Sequence, residues 1–163
     1  MPISDYIKQI RAKVGKDLLL VPGVTAVVIN KRDEILLQLR RDTGTWAPPS
    51  GSAEPGETVA ECAVREVREE SGVTIVPEAV VAVLSGKEYN VVYPNGDKLA
   101  TVTTVFRCRP VGDITPRVND DESQDFRYFP GNARPENMLP RHRWIIGLAL
   151  SKAPGAYFDP PSA

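Results

Sequence analysis

The stretch GSAEPGETVAECAVREVREESGV, residues 51–73, decides the fold. It opens as a turn-rich loop and closes as a helix. Pro55 and Gly56 keep its first part irregular. Thr58 and Glu61 have the T-x-x-E spacing of a capping box, which starts a helix at Thr58. Ala60, Ala63, Val64 and Val67 recur at i, i+3, i+4 and i+7, an apolar stripe for a core. Gly72 can end the helix in the left-handed conformation. The spacing predicts a helix over 58–71 after a long loop, 42–56.

The same helix carries Glu66, Glu69 and Glu70 within an arc of roughly 100°, on a different side from the apolar stripe. Like charges at i, i+3 and i+4 repel by a few tenths of a kcal/mol per pair. Two of them lie in the last turn, where the helix dipole disfavours anions. A solvated acidic face is the ordinary explanation of such a cluster. A bound divalent cation is the other, since Mg²⁺ takes oxygen ligands and leaves positions open for substrate phosphates.

The loop before the helix decides between them. Gly51, Glu57, Arg65, Glu66, Val67, Glu69, Glu70, Gly72 and Val73 fit G-x5-E-x7-R-E-U-x-E-E-x-G-U, with U apolar, at every defined position. A chance match is on the order of 10⁻⁹ per window. This pattern is the Nudix box, and the chain resembles the Nudix hydrolase family from about Val21 to Lys152. The resemblance implies an α+β fold, an α/β/α sandwich with a mixed β-sheet and a catalytic loop–helix–loop. It divides the chain into an N-terminal helical extension (1–20), a Nudix domain (21–152) and a C-terminal tail (153–163).

The resemblance also implies chemistry. Such enzymes hydrolyse a diphosphate linkage in a nucleoside diphosphate joined to another group, using Mg²⁺ or Mn²⁺. Glu66, Glu69 and Glu70 match the metal ligands, and the Gly51 carbonyl matches a frequent backbone ligand. Glu57 and Arg65 match a supporting pair in which the arginine orients a carboxylate. The implied substrate is of the ADP-ribose or nucleotide-sugar type. The alternatives are a MutT-like nucleoside triphosphate pyrophosphatase and a sensing module without catalysis; the complete set of box carboxylates favours an enzyme. One departure stands out: Ser50-Gly51 replaces the frequent Gly-Gly, and serine would be strained there if the position needs positive φ.

Weaker signals surround the box. Glu122, in Asp120-Asp121-Glu122-Ser123, stands where many Nudix enzymes supply a further acidic ligand or base. Arg40 and Arg41 end the strand before the loop, where a basic residue often meets substrate phosphates. Strict alternation lets only one of them face the site. Trp46 either flanks a nucleobase or packs under the loop. Tyr89 stands 16 residues past Val73, about where diadenosine polyphosphate hydrolases carry a tyrosine; otherwise it is a hairpin face with Tyr93 and Phe106. His142 reads as a surface residue, and Cys62 and Cys108 as packing.

The remaining elements follow from pattern. Ser4–Val14 reads as a short helix and Leu18–Val21 as an apolar run broken at Pro22-Gly23. Val24–Asn30 and Ile35–Arg40 read as a hairpin. Val73–Leu84 is extended with an interruption at Pro77. Glu88–Tyr93 and Leu99–Pro110 flank the turn Pro94-Asn95-Gly96-Asp97. Val111–Asp125 is loop, Phe126–Phe129 a short strand, and Arg141–Lys152 a helix with Ile145, Leu148 and Ala149 inward. The last eleven residues read as an extended tail.

Composition bounds the rest. The chain has 163 residues, the length of one domain. Twenty basic against 21 acidic residues exclude a nucleic-acid binder that relies on bulk charge. Two distant cysteines exclude a disulfide scaffold and a zinc module. The N-terminus has no apolar leader, and no run approaches the roughly 20 apolar residues of a membrane span. These features predict a cytoplasmic protein, and the resemblance implies a nucleotide-derived substrate. The two ends could complete the pocket of a homodimer or fold back over their own domain.

Overall fold

The computed structural model describes residues 5–92 and 95–161. Ser4, Tyr93 and Pro94, which the sequence places in a helix and a hairpin, lie outside them.

The element that the box predicts forms as expected. Helix α2 spans Val59–Ser71. Thr58 caps it: its Oγ accepts from the Glu61 backbone N–H, while the Glu61 carboxylate accepts from the Thr58 N–H. Gly72, at φ +72°, closes the helix by donating its N–H to the Arg68 carbonyl. That φ suits a residue without a Cβ.

Two sheets lie between α2 and the last helix. The larger contains β1 (Leu19–Val28), β4 (Ser50–Ser52), β5 (Thr74–Leu84), β6 (Val91–Val92), β7 (Lys98–Val111) and β9 (Tyr157–Phe158). Its order is β4-β1-β7-β5-β9, with β6 also on β7. β1 runs parallel to β7, and β5 antiparallel to it, so the sheet is mixed. The smaller sheet is β2 (Glu34–Arg40) between β3 (Trp46–Ala47) and β8 (Ser123–Pro130). Alternation then sorts the core into two layers. Val24, Ala26, Val28 and Leu36 join Ala63 and Val67 beneath α2. Val27, Ile35 and Leu37 join Ile145, Ile146 and Ala149 of α3 (Pro140–Ser151). Apolar runs buried on both faces are what a sheet covered by helices on each side requires. The result is the expected α/β/α arrangement. No helix among the described residues is long and apolar enough to cross a membrane.

Several local expectations are corrected. β1 and β2 are not a hairpin; apart from one bridge, Ile29 to Ile35, they pair in different sheets. The chain turns a corner there, because each strand has apolar residues for both layers. Pro22 does not break β1. Its carbonyl accepts from the Ala53 N–H at 3.0 Å, just past the end of the β4 pairing, and its missing donor falls on that same side. The Pro-rich loop before α2 holds β3 and β4. Pro77 makes a bulge in β5 rather than a break. Tyr89 belongs to a 3₁₀ turn, Lys87–Tyr89, not to a hairpin strand. β8 begins at Ser123, inside the expected loop, and the tail contributes β9 beside β5.

Candidate active site

The three glutamates of α2 do not share one environment. Glu66 and Glu70 are 4% and 5% exposed, whereas the Glu69 side chain is 62% exposed. The expected separation from the apolar stripe is therefore wrong for two of them. Glu66 prolongs the row of buried Cys62, and Glu70 the row of Ala63 and Val67, at i+4 and at i+7 and i+3. A helix built for packing alone would place apolar side chains at both positions.

Gly51 makes room for Glu66. A Cβ on Gly51 would stand 1.9 Å from the Glu66 carboxyl carbon. The carboxylate thus lies directly on the backbone of β4. Ser50, next to it, pairs with Thr25 in regular strand geometry and is absent from the positive-φ positions, so it carries no strain.

Arg65 ties loop to helix. Its Nε and Nη2 donate to the two Glu57 carboxylate oxygens at 2.7 and 2.9 Å. Nη2 also donates to the Ser52 carbonyl at 3.1 Å, and Nη1 reaches Glu66 at 3.0 Å and Glu69 at 3.2 Å. The planar fork explains how one side chain meets so many oxygens. Arg65 holds the Glu57 carboxyl below the usual range. Burial raises that of Glu66 despite the attraction of Arg65.

Glu70 is the most unusual group. Burial first, then the charges of Glu66 and Asp120, push its carboxyl up to about 8. Its Oε2 is buried with no hydrogen-bond partner. Its folded pKa lies above the ordinary 4.5. Stability from its bound proton is therefore complete below the unfolded value and lost as pH rises through the folded one. Metal-stripped protein should melt at lower temperature as the buffer goes from about pH 6 to about pH 9. Glu70→Gln should remove much of that slope, at most about 1.4 kcal/mol per pH unit. Melts of both proteins across that range read it; parallel curves would mean that Glu70 does not titrate there.

The acidic loop 112–122 is fixed against this helix end. The Arg117 and Asn119 N–H groups donate to the Ser71 and Glu70 carbonyls, which a helix leaves without partners. Asp120 accepts from the N–H groups of Glu122 and Ser123. From the other side, Arg41 donates to the carbonyls of Asp121 and Ser123, both at 2.9 Å. Within this loop Asp120 is the residue whose charge acts on Glu70, while Glu122, the acidic candidate of the sequence, lines the cleft.

A cleft of about 670 Å³ opens over β4. Gly51 and its serine neighbours form one wall, with Asp121 and Glu122 from the acidic loop. Arg40 and Arg41 both line it, against the expectation that only one could, because a register shift at Leu39/Arg40 breaks the alternation. Arg40 is paired with Asp42 at 2.6 Å. α1 (Asp5–Val14) contributes Ile7 and Arg11, and α3 contributes Arg141 and His142. Tyr89 stands at the wall too, its phenol raised by burial and then by Asp159.

Two site expectations are corrected. Trp46 is 7% exposed, sits in the core beneath α3 and meets the Phe129 ring edge-on at 4.8 Å, so it does not face the cleft. His142 is half-buried rather than a surface residue. Burial, Arg141 and Arg40 hold its pKa down to about 4, leaving the ring neutral. Its signal was helical spacing: His142 precedes Ile145, Ile146 and Ala149 by three, four and seven positions.

Among the described residues, no three Asp, Glu, His or Cys side chains converge as a ready-made metal cage. Glu69 turns outward to Arg65, while Glu66 and Glu70 are covered. The donors nevertheless suit a hard divalent cation: they are carboxylate and carbonyl oxygens, one of them a buried carboxylate oxygen with no partner. Glu69 is exposed and held to Arg65 at 3.2 Å by an ion pair of a kind worth a few tenths of a kcal/mol.

Comparison with known proteins agrees with this geometry. The sequence matches the NUDIX domain over residues 19–146. It is similar to the 8-oxo-dGDP phosphatase NUDT18 of Homo sapiens, 35% identical over 118 residues, 69% of this chain and 33% of that protein. The NAD-capped RNA hydrolase NudC of Pseudomonas aeruginosa is 31% identical over 137 residues, 80% of this chain and 44% of that protein. The chain thus spans about a third to under a half of the length of these relatives. An ADP-ribose pyrophosphatase from Streptococcus suis superposes with a TM-score of 0.64 at 23% identity, over 85% of this chain and 98% of that one. A UDP-X diphosphatase superposes at 0.67 and 18%, over 95% and 74%. At these identities the structural likeness speaks for the fold.

Proposed function

The chain belongs to the Nudix family, and on that premise we propose that it is a divalent-cation-dependent hydrolase of the diphosphate linkage in a nucleoside diphosphate derivative of the ADP-ribose or nucleotide-sugar type. The observation that carries this reading is the Arg65 hub, which joins Glu57, Ser52, Glu66 and Glu69 beside the cleft floor at Gly51. In this reading residues 21–152 are the catalytic domain, although α1 also lends Ile7 and Arg11 to the cleft.

Glu66, Glu69 and Glu70 would hold Mg²⁺ or Mn²⁺, with the Gly51 carbonyl and Glu122 as further oxygen donors. A bound cation supplies charge neutralisation at the diphosphate and activation of water. The chain does the rest. Arg40, Arg41 and Arg141 set positive charge along the cleft, where phosphate oxygens would be oriented. Arg65 keeps Glu66 and Glu57 in fixed relation through a fork that a flexible ammonium would not reproduce. A cleft carboxylate takes the proton as water attacks phosphorus and the phosphoanhydride bond breaks.

A second reading is a nucleotide-sanitising enzyme for oxidised purine nucleotides. It is favoured by the similarity to the 8-oxo-dGDP phosphatase NUDT18. Both readings use one site and differ in what the far end of the cleft accepts. A panel of ADP-ribose, UDP-glucose, 8-oxo-dGDP and 8-oxo-dGTP, each with Mg²⁺ and with Mn²⁺, should give phosphate-bearing products from at least one compound. Excess chelator should stop turnover, and returning the cation should restore it. Turnover by metal-stripped protein would overturn the mechanism. Binding of these nucleotides without any hydrolysis would make the domain a sensor.

A further inference from the structure

From 151 to 161 every residue is solvent-exposed except Asp159, a charged one. Two contacts join this segment to the domain, and a third lies within it. β9 pairs with β5 at Ala82 and Val83. The Tyr157 ring stands edge-on against Trp144 at 4.8 Å. The Tyr157 hydroxyl donates to Asp159 Oδ1 at 3.0 Å. Asp159 Oδ2 is buried and has no partner within hydrogen-bond distance. β5 ends at Leu84, and the chain then enters the 3₁₀ turn that carries Tyr89; Leu84 and Tyr89 both line the cleft.

We propose that the C-terminal segment is part of the binding site: Asp159 takes the Tyr89 hydroxyl as its second donor and fixes the Tyr89 ring as a wall for the nucleoside part of the substrate. Asp159 is then a positioning residue, acting through Tyr89 from outside the cleft. The electrostatics agree, since after burial the Asp159 carboxylate is the leading influence on the Tyr89 phenol, keeping it protonated and able to donate. An edge strand that merely covered β5 would need no carboxylate with a buried, unpartnered oxygen; a short edge strand is usually blunted by exposed charge. Leaving a buried carboxylate oxygen without a donor is costly, which a second hydroxyl relieves.

This inference rests on the reading of the cleft as a nucleotide site, so the test separates the two. In the full chain, Asp159→Ala, Asp159→Asn, Tyr89→Phe and the double variant Asp159→Ala/Tyr89→Phe are assayed with ADP-ribose and 8-oxo-dGDP in Mg²⁺. Asp159→Ala should raise KM about fivefold to tenfold with kcat little changed, the loss of roughly one hydrogen bond to a charged group. Asp159→Asn keeps an acceptor oxygen and should recover most of it. In the Tyr89→Phe background Asp159→Ala should add nothing further. Amide hydrogen exchange across residues 86–92 without nucleotide should quicken in Asp159→Ala, which reads the anchoring independently of turnover. Unchanged KM, additive effects of the two substitutions, or unchanged exchange would overturn the inference. If the unsubstituted protein hydrolyses neither nucleotide, the functional reading of the cleft fails for these substrates and the binding role falls with it, while exchange still decides whether Asp159 anchors the turn.

Discussion

Glu66→Gln should lower turnover by about a thousandfold or more at saturating Mg²⁺ while the fold stands. The substitution keeps size and shape but removes the negative charge. The carboxylate lies on Gly51, where any Cβ would collide with it, so its position is fixed by the backbone of β4. Glu70 lies a turn further along α2, so its carboxylate does not occupy the place of Glu66. Stability should change little. Burial already disfavours the Glu66 anion, so the loss of its bond from Arg65 is offset by relief of that desolvation. The melting transition without metal should remain cooperative and lie within about 1 kcal/mol of the starting protein. Titration calorimetry with Mg²⁺ should show weakened binding. Unaltered turnover would remove Glu66 from the metal site.

Arg65→Ala should cost about 10-fold to 100-fold in turnover and weaken cation affinity, although Arg65 would bind no cation itself. Its guanidinium donates to both Glu57 carboxylate oxygens and, among the described residues, it alone bridges Ser52, Glu57, Glu66 and Glu69. Without it the loop 51–57 is free to shift against α2, and a displacement of about 1 Å at a reacting group is enough for such a loss. Arg65→Lys should recover only part, because a point charge cannot match the bidentate fork. Stability at neutral pH should also fall, by about 2 kcal/mol, since Glu66 is left buried without its cation. The pH dependence has a definite sign. Arg65 lowers the folded pKa of Glu57 below 4.5. The stabilisation is therefore present above the unfolded value and is lost as pH falls through the folded one. The stability gap between Arg65→Ala and the starting protein should narrow in acid. Near-normal turnover in both variants would reduce Arg65 to a surface ion pair.

The sequence alone determined α2 and its two caps. Capping, apolar spacing and the Gly72 stop are local: each needs only residues within a few positions, so Thr58, Glu61 and Gly72 could be read before any contact was known. The spacing of Gly51, Glu57, Arg65 and the glutamates likewise pointed to the chemistry, because loop and helix are adjacent in the chain. Tertiary structure decided what depends on distant partners. Which sheet β2 joins follows from how its two apolar faces divide between α2 and α3. Trp46 fell to the core because Phe129 and α3 cover it, while Arg40 and Arg41 both reached the cleft through a bulge set by pairing with β8. Glu70 owes its raised carboxyl pKa to burial and to the charges of Glu66 and Asp120, and Asp120 belongs to a loop, 112–122, that is bonded to the end of α2 from about 45 residues further along the chain. His142, Tyr89 and Asp159 acquired their surroundings from elements far away in sequence, and no local periodicity encodes the desolvation that such packing imposes.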